Sequence, residues 1–279
     1  MPAGAGTMQI MQSRSSLPDI NRIGILTATV LLAFALTRLL PASQVVLRLT
    51  LGDFFLTYPV SLTTVMTLLA AGVTATGMDW LLRSHPGLGS ERTVEHWLLP
   101  MLTTFVIGVS LSLLPGGASW WATFAITGLV LVTVFIAEYV AVDSTAPAYS
   151  AATGLLTALS FAVTLILLTT MHSSSPRLVI LLPVVFVVSG LVSLRSLHLR
   201  LQSWVFAWAG GIALIIAQLA SALHYWPLSP IQFGLALLGP LYALTSLAGN
   251  LREDLPVRQA AVEPLVALTL AWVAAGLLG

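Results

Sequence analysis

The sequence predicts an all-α fold: a polytopic integral membrane helix bundle of about nine transmembrane helices, with eight to ten in range. Three observations carry this reading. Apolar residues make up 57% of the 279, charged residues only 8%, and the mean hydropathy is +0.97. A soluble domain needs about 25% charged residues to cover its surface, so a globule in water is excluded. Apolar runs long enough to cross roughly 30 Å of hydrocarbon recur along the whole chain. Arg and the aromatic residues gather between those runs, where membrane interfaces would lie.

In order, the runs are Ile23 to Leu40, Phe55 to Thr76, Trp97 to Leu114, Trp121 to Val142 and Tyr149 to Thr170. Leu178 to Leu197, Trp204 to Leu223, Ile231 to Ala248 and Gln259 to Leu278 follow. Residues 1–22 are then a cytoplasmic N-terminal tail, and residues 23–279 a single transmembrane domain. The first run exceeds the 7–15 residues of a signal-peptide core, and Leu40-Pro41-Ala42 is no small-x-small cleavage site. It reads as a retained helix. Between the first two runs, Leu47-Arg48-Leu49-Thr50-Leu51-Gly52 alternates apolar and polar residues. That is the pattern of a strand with one greasy face, lying on the outer surface, or of a loop among headgroups.

All eleven basic residues are Arg. Eight of them (Arg14, Arg22, Arg83, Arg92, Arg195, Arg200, Arg252 and Arg258) fall on the side of the N-terminus; Arg38, Arg48 and Arg177 fall on the other. The positive-inside rule places the N-terminus in the cytoplasm and the C-terminus outside a cell membrane. Trp and Tyr cluster at the proposed ends of spans, except Tyr242 and Trp272, which sit well inside. Small residues supply close helix contacts in lipid: Gly210, Ala213, Ala217 and Ala220 form a stripe on the seventh run, and Gly234 and Gly239 serve the eighth. Pro240 should bend that eighth run, leaving carbonyls for a nearby Ser or Thr to satisfy.

No run of basic residues suggests nucleic acid, and without cysteine there is no thiolate metal site, thiol nucleophile or disulfide. The sequence specifies no cofactor and no metal site. Asp79, Glu95, His96, Glu138, Arg195 and His198 gather on the cytoplasmic face as a candidate polar cluster, with Arg195 and His198 three apart on one helix face. Carboxylates and histidines there suit a divalent ion or a lipid phosphate; a solvated, salt-bridged rim is the plainer reading. Within the membrane, Gln218 should find a hydrogen-bond partner. Glu263, about one turn into the last run beside Pro264, should be paired with an Arg or held by the helix N-terminus, away from lipid. His224 and His96 have the chemistry to ligate a haem, but read as interface residues. No ionisable group lies at a predicted midplane, which argues against an ion-coupled pump.

Function therefore rests on class. A non-enzymatic accessory or scaffold subunit, or a binder of a hydrophobic small molecule, ranks first. A small-molecule or lipid transporter is second, and an enzyme acting on a lipid-soluble substrate at the cytoplasmic face is third. The partners expected are the lipid bilayer and other membrane proteins.

Overall fold

A computed structural model describes residues 18–39, 44–51, 54–85, 88 and 93–278. Among these, nine helices are long and apolar enough to span a membrane. They are α1 (Ile20–Leu39), α2 (Leu62–Leu82), α3 (Leu98–Leu113, which reaches spanning length together with the turn that precedes it from Val94), α4 (Ala118–Val140), α5 (Tyr149–Ser173), α6 (Leu178–Leu201), α7 (Phe206–Leu223), α8 (Pro230–Arg252) and α9 (Val257–Leu277). A short 3-10 turn, Val94–His96, leads into α3. Arg14, the Leu40 to Ala42 stretch, Gly52, Glu91 and Arg92 lie outside the described residues.

The largest departure from expectation falls at the second run. Its first part is not helix: β1 (Gln44–Leu51) pairs antiparallel with β2 (Phe54–Ser61), and α2 starts only at Leu62. The alternating segment is thus one arm of a hairpin, with Leu47 opposite Tyr58 and Leu49 opposite Leu56. The aromatic and β-branched sequence Phe-Phe-Leu-Thr-Tyr-Pro-Val favours extended backbone. Ser61 then caps α2 by accepting from the Thr64 amide at 3.1 Å, which fixes where the helix begins. α2 runs six residues past its expected end, so Asp79 lies in its last turn.

The chain divides into two compact units, Met1–Thr153 and Gly154–Gly279. In the first, Val30, Phe34, Met78, Leu131 and Phe135 build the core. α1, α2 and α3 meet tightly at Gly108, where an added Cβ would stand 2.5 Å from Thr67 and 2.8 Å from Phe34. The Thr74 and Thr104 hydroxyls share a 2.9 Å hydrogen bond across the buried α2–α3 contact.

In the second unit the small-residue contacts fall close to expectation. A Cβ on Gly234 would reach within 2.7 Å of Thr169 on α5, and one on Gly239 within 2.8 Å of Ala271 on α9. The buried stripe of α7 is Ala209, Ile212, Ala213, Ile216 and Ala220, facing Gly190 of α6. Ala213 and Ala220 lie on it as expected, whereas Gly210 and Ala217 are half-buried at its edge.

The prolines of α8 and α9 explain how those two helices are joined. Proline has no N–H, so Pro240 strands the carbonyl of Ala236, and Pro264 strands that of Ala260. Each stranded carbonyl finds its donor on the other helix. The Trp272 indole of α9 donates to Ala236 O at 3.3 Å, and the Asn250 amide of α8 donates to Ala260 O at 2.8 Å. The expected Ser or Thr relief at Pro240 is replaced by this indole. It also explains why Trp272 sits inside a span. Because α9 begins at Val257, Pro264 is interior rather than in the first turn.

This pairing generates a double-mutant prediction. Trp272→Phe should lower stability in detergent by about 1 kcal/mol, the scale of interhelical hydrogen bonds in membranes. In a Pro240→Ala background, the residue 240 amide satisfies Ala236 itself, so Trp272→Phe should cost much less. Thermal unfolding of the four proteins measures the difference.

Candidate functional site

Two groups of polar side chains stand out, one in each unit. In the first, the 3-10 turn presents His96 to α4. Its Nδ1 donates to Glu138 Oε2 at 2.7 Å, and Glu95 Oε1 lies 3.6 Å from its Nε2. Glu138 is fully buried and His96 nearly so. A carboxylate removed from water needs such a partner to offset its lost hydration. A carboxylate holding one ring nitrogen also fixes the imidazole's orientation, which is what a proton-transferring histidine requires. Nearby, the buried His85 ring meets the Tyr139 ring edge-on at 4.6 Å. Burial pushes the His85 pKa down, the Asp143 carboxylate pulls it back up, and His96 lowers it further. Asp143 itself titrates lower than usual because the Thr145 hydroxyl and amide both donate to it.

Not all of the expected cytoplasmic cluster converges there. His96, Glu138 and Glu95 come together, but Asp79 is occupied by the Arg83 guanidinium at 2.6 Å and the Thr93 hydroxyl at 2.5 Å. Arg195 and His198 are both buried on α6 in the second unit, and the His198 ring stacks on Trp204 at 4.3 Å. Among the described residues, no three His, Asp or Glu side chains are placed to hold a metal ion.

In the second unit, Arg200 of α6 donates twice to Glu253, from Nε at 2.6 Å and from a terminal nitrogen at 2.5 Å. That hydrogen bonding holds the Glu253 pKa low against the opposing effect of desolvation. Arg200 also donates to Asn250 Oδ1 at 2.8 Å, which leaves the Asn250 amide nitrogen for Ala260. One turn along the same face of α8, Ser246 donates to Glu263 Oε2, and Tyr242 donates to Glu263 Oε1, both at 2.5 Å. Glu263 is therefore hydrogen-bonded, as expected. Its partners are hydroxyls of α8 rather than an Arg or the helix end, and its side chain stays exposed rather than turned inward.

Sequence reasoning missed these hydroxyls although the signal was present. Tyr242, Ser246 and Asn250 recur every four residues and share one face of a Leu-rich helix. Gln218 corrects another expectation: it is exposed on α7 and makes no hydrogen bond among the described residues. Gln232 does have a structural role, closing a capping box with Ser229 at the start of α8. His224 packs edge-on against Tyr225 at 4.9 Å.

On the side of α8 away from α9 lies an apolar groove of about 340 Å³. Trp208, Gly211 and Ile215 of α7 form one wall, and Leu244, Ala248 and Leu251 of α8 form the other.

The sequence comparison now places the chain. It belongs to the family described as Protein of unknown function (DUF5656), whose model matches residues 42–278. The match runs from just before β1 through α9, so the hairpin and eight of the nine helices lie within the DUF5656 region. No curated protein and no solved structure matches the chain significantly.

The His85 environment predicts a pH effect. Its folded-state pKa lies below the ordinary 6.5, so the folded protein binds fewer protons than the unfolded one. The stability this represents is present above pH 6.5 and is lost as pH falls through and below it. Thermal unfolding between about pH 7.5 and 5 should show a steeper loss for the wild type than for His85→Gln.

Proposed function

We propose that this protein is a non-catalytic membrane component that holds one hydrophobic chain, such as a lipid acyl tail, in the α7–α8 groove. The observation that carries the reading is the groove itself. The nine residues that line it are Ala, Gly, Ile, Leu and Trp, so the open groove presents mostly apolar surface, which an apolar guest covers more favourably than water does. Its volume is more than twice the roughly 150 Å³ of an engineered cavity that binds benzene. It opens between two helices long and apolar enough to span a membrane, where hydrocarbon is the medium at hand. α8 is a firm wall because Trp272 and Asn250 pin it to α9 from behind.

We infer that the segment before α1 lies in the cytoplasm and the end of α9 outside the cell. The eight-to-three division of Arg supports that orientation. The buried His96–Glu138 pair favours a second reading, an enzyme acting on a lipid-soluble substrate at the cytoplasmic face. There His96 would move a proton and Glu138 would orient it.

The groove is testable by filling it. A Cβ on Gly211 meets nothing within 4 Å, so Gly211→Leu projects into open groove without moving backbone. Gly210 is equally unobstructed but does not line the groove, making Gly210→Leu the control. Native mass spectrometry of protein from mild detergent should show one retained hydrophobic molecule in the wild type and Gly210→Leu, and at least a tenfold lower occupancy in Gly211→Leu. Equal occupancy in all three would overturn the proposal.

A further inference from the structure

We propose that Glu263, Tyr242 and Ser246 form a proton-binding site on the lipid-exposed surface of α9. Glu263 is the seventh residue of α9, so it stands roughly 9 Å from the helix start at 1.5 Å per residue. Its neighbours on that helix, Val262, Leu265 and Val266, are all more than half exposed. In a bilayer, that surface meets hydrocarbon. A carboxylate there is costly unless something compensates its charge.

The compensation is particular. Both carboxylate oxygens accept short hydrogen bonds from hydroxyls on α8. Arg200 of α6, whose charge also reaches Glu263, gives its hydrogen bonds to Glu253 and Asn250. From α8, the helix packed against α9, the one titratable group bonded to Glu263 is Tyr242; Arg200 of α6 stands behind Asn250, and Arg258 is a turn back on α9 itself. Glu263 is thus held by groups that can reverse their roles. Hydroxyls donate to the carboxylate, and when Glu263 takes up a proton on one oxygen, either hydroxyl can turn and accept from it. A guanidinium has no acceptor and could serve only the charged form. The hydroxyl pair keeps both protonation states hydrogen-bonded, which is what reversible proton binding beside lipid requires. This inference does not depend on what fills the α7–α8 groove.

A lipid-soluble carbodiimide reads the neutral acid directly. The acid proton moves to a carbodiimide nitrogen and the carboxylate oxygen bonds the central carbon. The resulting O-acylisourea rearranges to a stable N-acylurea, so the peptide gains one reagent with nothing lost and no redox change. The full chain in phosphatidylcholine vesicles should be treated with dicyclohexylcarbodiimide or a water-soluble carbodiimide, then mapped by mass spectrometry. Glu263 should be labelled by the lipid-soluble reagent at least tenfold faster than by the soluble one. The rate should rise by up to about tenfold for each unit that pH is lowered while the charged form predominates. Tyr242→Phe removes a donor to the carboxylate, so labelling near pH 8 should increase several-fold, and Glu263→Gln should abolish it. An unmodified Glu263, equal reaction with both reagents, or a rate independent of pH would each overturn the proposal. The wild-type pH profile decides the matter even if a variant fails to fold.

Discussion

A proline inside a membrane-spanning helix leaves a carbonyl without its helical donor, and hydrocarbon has no water to replace it. Such a group costs several kcal/mol if left unmet. α8 and α9 each contain one interior proline, and each supplies the donor the other lacks. The two contacts lie near opposite ends of the antiparallel pair. Ala236 and Asn250 are fourteen residues apart on α8, or about 21 Å at helical rise. Two fixed points that far apart set the register of the pair as well as its contact, so neither helix can slide by a residue without stranding a carbonyl. The close approach of Gly239 to Ala271, between those points, is the steric counterpart.

That register gives α8 two working sides. Tyr242, Ser246 and Asn250 face α9 and meet Glu263 and the Ala260 carbonyl. Leu244, Leu247, Ala248 and Leu251 form the wall opposite α7. Arg200 ties the end of α6 to the same helix through Glu253 and Asn250, with Gly249 leaving space for its guanidinium. Moving α8 by one residue would disturb the hydroxyls around Glu263 and the groove together, so the two proposed sites share one mechanical support.

The sequence made the membrane bundle legible because hydrocarbon imposes its own length scale. The nine apolar runs coincide with nine described helices, shifted by a few residues at most ends. The hairpin was legible at Leu47 to Leu51, where alternation is strict. Its partner was hidden because Phe54 to Val60 is apolar enough to pass for the start of a helix, and apolarity alone does not distinguish the two. Glu263 was legible as a residue needing compensation, since any carboxylate in that position must find it. Its partners lie about twenty residues away in sequence, and side chains brought together by folding leave only a faint trace, here a four-residue spacing. Pro240 announced a stranded carbonyl, but nothing local could announce that its donor would be Trp272.

The central claim is that the Ala236 and Ala260 carbonyls are bonded across the α8–α9 contact. Isotope-edited infrared spectroscopy tests it, with a carbon-13, oxygen-18 carbonyl placed at each alanine in turn in protein reconstituted into bilayers. The account predicts amide I bands at hydrogen-bonded frequencies, with the Ala236 band moving to the unbonded position in Trp272→Phe and the Ala260 band doing so in Asn250→Leu. Unbonded bands in the wild type, or bands indifferent to those substitutions, would contradict it.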